Sequence, residues 1–106
     1  VPQDNNEALE LWHRAGELGY ASAYCNIGYA YDFGRGVEMD IERAKYYYEL
    51  AAIGGNESSR YNLGAIEEGA GNMSRALKHY MIAVGCGDID SLKKIRELYM
   101  NGHATK

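Results

Sequence analysis

The chain has 106 residues, 46% of them hydrophobic, with a formal charge of −4 and a pI near 5.3. That length makes one domain of about three helix pairs, and the composition excludes a disordered chain. The acidic balance argues against a nucleic-acid or anionic-membrane surface, which needs clustered Lys and Arg: Lys93, Lys94 and Arg96 gather weakly, but Asp88, Asp90 and Glu97 interleave with them.

Six helices are predicted. Asp4 followed by Glu7 reads as a capping box that opens a helix from Asn5 to Glu17, stopped at Gly19. The second runs from Ala21 to Phe33, has no marked start, and breaks at Gly34-Arg35-Gly36-Val37. Asp40 caps a third, Ile41 to Ile53, which ends at Gly54-Gly55. Asn56 caps a fourth, Glu57 to Glu68, closed by Gly69-Ala70-Gly71. Asn72 caps a fifth, Met73 to Val84, ending at Gly85 and Gly87, and Asp88 caps a sixth, Ile89 to Asn101, with Gly102 after it. Short acidic or amide side chains suit helix starts and glycine suits helix ends. The single proline, Pro2, precedes all of them.

One spacing recurs through these elements. Ala8, Ala44 and Ala76 lie 36 and then 32 residues apart, as do Gly19, Gly55 and Gly87, then Ala23, Ser59 and Ser91, and then Ile27, Leu63 and Ile95. Independent positions that share a period mark a repeated supersecondary unit, here two short helices and two turns. The fold class is therefore all-α, a short stack of helical hairpins, and such stacks bind more often than they catalyse.

Odd helices carry an Ala, an aromatic four residues on, and small residues after it: Ala8, Trp12, Ala15 and Gly16; Ala44, Tyr48, Ala51 and Ala52; Ala76, Tyr80, Ala83 and Val84. Offsets of four and seven place each set on one stripe. Even helices carry a small residue, an aliphatic four further on, usually Gly next, and sometimes Tyr: Ala23, Ile27, Gly28 and Tyr31; Ser59, Leu63 and Gly64; Ser91, Ile95 and Tyr99. Four of the ten tyrosines, Tyr31, Tyr48, Tyr80 and Tyr99, fall on these stripes, where the ring packs between neighbours and the hydroxyl is expected to reach water.

No catalytic, cofactor or metal site emerges. His13, His79 and His103 lack partners at metal-site spacing, Glu17 near His13 being an incidental neighbour, and they read as surface or half-packed side chains. No His lies beside Cys25 on its face, as a nucleophile needs. Glu67-Glu68 diverge by about 100° on a helix and read as a solvated face. Gly34-Arg35-Gly36 lacks the lysine and strand of a phosphate cradle and reads as a turn. Of Tyr46-Tyr47-Tyr48, Tyr48 sits on the packing stripe and Tyr46 is a candidate exposed contact. Cys25 and Cys86 occupy non-equivalent repeat positions, which favours reduced thiols and a cytoplasmic setting. No apolar run approaches the ~18 residues of a membrane span, and no stretch of the given sequence reads as a signal peptide. Without an initiator Met, the chain reads as a piece of a longer protein.

The run Gly19, Ala23, Ile27-Gly28, Tyr31, Gly34, Gly36-Val37, Asp40, Ala44, Tyr47-Tyr48, Ala51-Ala52 and Gly55 resembles a complete Sel-one-like repeat (SLR), a relative of the tetratricopeptide (TPR) repeats. A second copy keeps Ser59, Leu63-Gly64, Ala76, Tyr80, Ala83 and Gly87 but has lost four residues and the G-x-G-V turn, replaced by the shortened linker Gly71 to Ala76. The resemblance spans residues 7–102 and divides the chain into a half-repeat (5–18), a repeat (19–54), a shortened repeat (55–86), a half-repeat (87–102) and a tail (103–106).

The resemblance implies a right-handed α-solenoid, an alpha-alpha superhelix of about three helix-turn-helix repeats, acting as a non-catalytic adaptor for a protein or peptide. It also implies that the even helices line the concave face. On that face the expected contacts are Ser22, Cys25, Tyr29 and Asp32; Ser58, Tyr61, Asn62, Ala65 and Glu68; and Asp90, Lys93, Lys94, Glu97 and Met100. Tyr29 and Tyr61 stand out as anchors, since tyrosine offers contact area at little rotamer cost.

Two other readings stay open. The last helix shows Ile89, Leu92, Ile95, Leu98 and Tyr99 with no following helix, and the first shows Leu9, Leu11 and Trp12 with none before it, so the apolar ends point to self-association. Some proteins with this repeat are associated with hydrolysis of cell-wall-type substrates, mostly in disulfide-stapled versions that this chain does not resemble.

Overall fold

The computed structural model describes residues 5–101, the Asn5 side chain excepted; Pro2, the Asp4 cap, the Gly102 stop and His103 lie outside the described residues. The helices are α1 (Asn5–Glu17), α2 (Ala21–Phe33), α3 (Ile41–Ile53), α4 (Glu57–Gly69), α5 (Met73–Gly85) and α6 (Ile89–Met100), with no strand among the described residues. Predicted ends and observed ends agree to within one residue.

Glycine is what stops the helices. Gly19, Gly34, Gly55, Gly71 and Gly87 adopt φ between +67° and +102°, a left-handed conformation that disfavours a Cβ. In each case the next residue's N–H turns back to the carbonyl five positions earlier. Tyr20, Arg35, Asn56, Asn72 and Asp88 donate to Ala15, Ala30, Ala51, Glu67 and Ala83 at 2.8–3.1 Å. This is the Schellman closure, made five times.

Helix starts are less uniform than the sequence suggested. Asp40 caps α3 as expected, its Oδ1 accepting the Arg43 N–H at 3.1 Å. Asn72 and Asp88 make no side-chain cap. The Asn72 amide instead donates to Glu67 Oε1 at 2.8 Å, doubling the backbone bond between the same two residues, and Asp88 accepts the Ser91 hydroxyl. Both side chains bond a nearby side chain instead of the backbone amide.

The chain forms two compact units, Val1–Asn56 with α1–α3 and Glu57–Lys106 with α4–α6. In the first, Ala44, Tyr48 and Ala51 of α3 are fully buried against Ala23, Ile27 and Ala30 of α2. In the second, Ala76, Tyr80 and Ala83 of α5 are fully buried, with Leu63 of α4 and Leu98 of α6. Each unit contains the same close approach. A Cβ on Gly28 would lie 2.6 Å from the Tyr48 ring, and one on Gly64 would lie 2.5 Å from the Tyr80 ring. The shortened linker before α5 therefore keeps the close approach of tyrosine to glycine between α4 and α5.

The α6 face expected to be exposed is split. Leu98 is buried in the cluster with Ala76 and Tyr80, and Ile95 packs against that cluster. Ile89, Leu92 and Tyr99 remain exposed. Helical spacing spread the five residues too widely for one face to hold them all.

Candidate protein-binding surface

Two expected contact residues are engaged in packing. Tyr48 Oη donates to Asp32 Oδ2 at 3.0 Å, and Tyr80 Oη donates to Glu68 Oε1 at 2.7 Å. The hydroxyls of these two tyrosines thus reach carboxylates rather than water, because the rings are fully buried. Burial, reinforced by the adjacent carboxylate, pushes both phenols well above their ordinary pKa. Burial also raises the Asp32 carboxyl, and the hydrogen bond from Tyr48 pulls it partly back. Glu68 is further held 3.6 Å from Lys94 Nζ, which lies 3.8 Å from Glu97.

The phenol shifts carry a pH signature. In the unfolded chain tyrosine ionises near pH 10.0, while in the folded chain Tyr48 and Tyr80 stay neutral. Their stabilisation is complete below pH 10 and declines as pH rises above it. The expected loss is up to about 1.4 kcal/mol per pH unit for each ring. Urea titrations between pH 9 and pH 11 check this (roughly the window flanking the phenol value), and the Tyr48→Phe/Tyr80→Phe variant should show a flatter decline.

On α2, the structure groups residues that the sequence had separated. Tyr29 is 41% exposed, its ring 4.6 Å from that of Phe33, and the Arg35 guanidinium lies 5.2 Å over the Tyr29 ring. Beside it opens a cleft of ≈ 240 Å³ between α1 and α2, lined by Ala8, Leu9, Trp12, Asn26, Tyr29, Ala30 and Arg35. Its floor is apolar, and an amide and a cation stand at its rim. Such a site takes one apolar side chain of a peptide and answers a neighbouring carbonyl or carboxylate. Ser22 is exposed and Cys25 half-buried. Sequence reasoning missed Phe33, Asn26 and Arg35, since Arg35 looked only like a turn residue between two glycines.

In the second unit, Ser58 and Ala65 are exposed and Asn62 half-buried. Tyr61 packs on the Ala76–Tyr80–Leu98 cluster, its ring 5.7 Å from that of Tyr80. Its outer side joins Asp90, Lys93, Lys94 and Glu97 around a small cleft of ≈ 140 Å³. Met100 stands apart, 85% exposed, at a cavity of ≈ 370 Å³ with Lys93, Arg96, Glu97 and Asn101.

Other singled-out residues are accounted for locally. Glu67 is not on a solvated face: it is buried and accepts from Asn72, while Glu68 takes the tyrosine hydroxyl, so the pair diverges into two packing roles. His13 packs edge-on against Tyr47 at 5.3 Å, and Tyr47 itself stacks with Tyr24 and Tyr31. Tyr46 is exposed. At the α2–α3 turn, a cavity of ≈ 520 Å³ contains Arg43, whose charge is met by Asp40 at 3.6 Å. Both cysteines are thiols. Among the described residues no three His, Cys, Asp or Glu converge as metal ligands, and no helix is long and apolar enough to cross a membrane.

Tyr-on-Gly packing at one repeated period, with glycine closures at the same period, describes a specific helical repeat, and comparison with known proteins agrees. The model of the Sel1 repeat matches residues 1–20 and 21–56, just over half of the chain. The chain belongs to the Sel1 repeat family. Its fold is similar to the crystal structure of a Sel1 repeat protein from Oxalobacter formigenes, with a TM-score of 0.81 at 34% identity over 96% of this chain and 43% of that one. The fold class is thus an all-α helical repeat of the solenoid type.

Among curated relatives of this Sel1 repeat chain is the ERAD-associated E3 ubiquitin-protein ligase component HRD3B of Arabidopsis thaliana, 41% identical over 64 residues, 60% of this chain and 11% of that protein. Another is DAP3-binding cell death enhancer 1 of Mus musculus, 33% identical over 100 residues, 91% of this chain and 19% of that protein. The chain therefore spans between about a tenth and a fifth of these relatives. Both are named for association with other proteins. The Sel1 match stops at residue 56, before the shortened copy, yet Tyr80 seats on Gly64 as Tyr48 does on Gly28.

Proposed function

We propose that this Sel1 repeat chain is a non-catalytic protein-binding module that holds a peptide or helix of a partner on its even helices. Tyr29 at the α1–α2 cleft is the principal anchor. The observation that carries this reading is the half-exposed Tyr29 ring, flanked by Phe33 and Arg35 at the edge of an apolar cleft. Aromatic and arginine side chains beside a desolvated pocket are the usual seats of binding energy. Tyr61, with Asp90, Lys93, Lys94 and Glu97, supplies a second and more polar contact. Asp32 and Glu68 drop out of the contact set, because their carboxylates are occupied by Tyr48 and Tyr80.

The test is site-specific photo-crosslinking in a lysate of the source organism. A benzophenone amino acid placed at Ser22, on the same surface as Tyr29, should give a discrete adduct with another protein. The same group at Tyr46 on α3 should give none. Adducts from Tyr46 alone would move the binding surface to the odd helices.

A further inference from the structure

Among the described helices α5 alone carries no acidic residue, in a chain whose formal charge is −4. Its outward stripe is Arg75, Lys78, Ile82 and Gly85, which offsets of three, four and three keep on one face. At steps of 32 and 36 residues these positions correspond to Arg43, Tyr46, Leu50 and Ile53 on α3 and to Glu7, Glu10, Arg14 and Glu17 on α1. The copy on α1 shows which positions a later repeat covers. With α3 beside it, His13 packs on the Tyr47 ring, while Glu7, Glu10, Arg14 and Glu17 all stay exposed. Met81, the counterpart of His13, is therefore left out of the surface. Arg75, Lys78, Ile82 and Gly85 are exposed at positions that a following helix of this repeat does not reach.

The positive charge on this stripe lacks the answer it has elsewhere. On α3 the capping carboxylate of Asp40 meets Arg43 at 3.6 Å. On α5 the matching cap position is Asn72, a neutral amide already given to Glu67, so Arg75 stands in the first turn without that carboxylate. A helix start carries partial positive charge of its own, which further favours an anion there. Arg75 and Lys78 make no hydrogen bond or ion pair among the described residues. The acids of this unit are engaged or placed elsewhere. Glu67 is buried and bonded to Asn72, Glu68 holds Tyr80 and Lys94, and Asp88 holds Ser91. Asp90 and Glu97 line the Tyr61 cleft together with Lys93 and Lys94. Glu57 opens α4 and, since Gly64 meets Tyr80, lies level with the end of α5, away from Arg75.

We propose that the outer face of α5 docks an acidic helix of a partner protein, with carboxylates on Arg75 and Lys78 and an apolar side chain on Ile82. Laid antiparallel, a helix with leucine at i and glutamate at i+4 and i+7 matches that order. Two cations are too few to hold an anionic membrane surface by themselves. The test measures fluorescence anisotropy of two labelled synthetic helical peptides on the full 106-residue chain. One carries that leucine and glutamate pattern, and the other has lysines in place of the glutamates. The glutamate peptide should bind at least about tenfold more tightly, and Arg75→Glu/Lys78→Glu should reverse the preference. Lys93→Glu/Arg96→Glu makes the same change of charge on α6 and should leave the preference in place, as should Tyr29→Ala. Equal binding of the two peptides, binding of neither, or a preference lost equally in Lys93→Glu/Arg96→Glu would overturn the proposal. So would phosphatidylserine vesicles that capture the wild type but not Arg75→Glu/Lys78→Glu, which would assign the face to a membrane.

Discussion

Tyr48→Ala and Tyr80→Ala should each cost about 3–5 kcal/mol, a large share of a domain stability of order 5–15 kcal/mol. Each ring is fully buried, and each fills the space between two helices that approach closely because the facing residue is glycine. Truncation opens a cavity and strips Asp32 or Glu68 of its hydroxyl donor. Tyr48→Phe and Tyr80→Phe keep the ring and should lose only about 1 kcal/mol, the worth of one hydrogen bond. Urea unfolding followed by circular dichroism separates the two cases. Equal losses for Phe and Ala would mean that the hydroxyl, not the ring, holds the joint.

Gly28→Ala and Gly64→Ala should lose about 1–3 kcal/mol, against the ordinary rule that alanine favours a helix by up to about 1 kcal/mol over glycine. The nearest ring atoms lie 2.6 and 2.5 Å from the new methyl, and those rings are themselves buried and have nowhere to move. Gly69→Ala and Gly85→Ala provide the contrast. They end α4 and α5, lack positive φ, and have no atom within 4 Å of an added Cβ, so the propensity gain should survive as a rise in Tm of a few degrees, roughly 1 kcal/mol at most. A neutral Gly28→Ala would show that the helices can part without loss.

Much of this was legible in one sequence, because the repeat states its own rules more than once. Helix ends were readable from glycines at a common period, and the Ala–Tyr–Ala stripes of α3 and α5 named buried residues directly. What escaped was the partner choice of polar groups. Asp32 and Glu68 looked like solvent-facing contacts because periodicity reports which way a side chain points, not what meets it. A signal was present: both stand four residues after the glycine that receives the tyrosine. Asn72 and Asp88 looked like caps for the same reason, and the neighbouring side chains of Glu67 and Ser91 engage them instead. The Tyr29 cleft depends on Leu9, Trp12 and Arg35, which no period connects.

The proposed binding mode holds a partner protein at the even-helix surface around Tyr29, apart from the tyrosine–glycine joints that hold the fold. Quantitative affinity capture from a lysate of the source organism, comparing wild type, Tyr29→Ala and Tyr46→Ala at equal, verified helicity, addresses it most directly. One protein should be retained by wild type and Tyr46→Ala and lost from Tyr29→Ala. The same protein retained in full by Tyr29→Ala would contradict it.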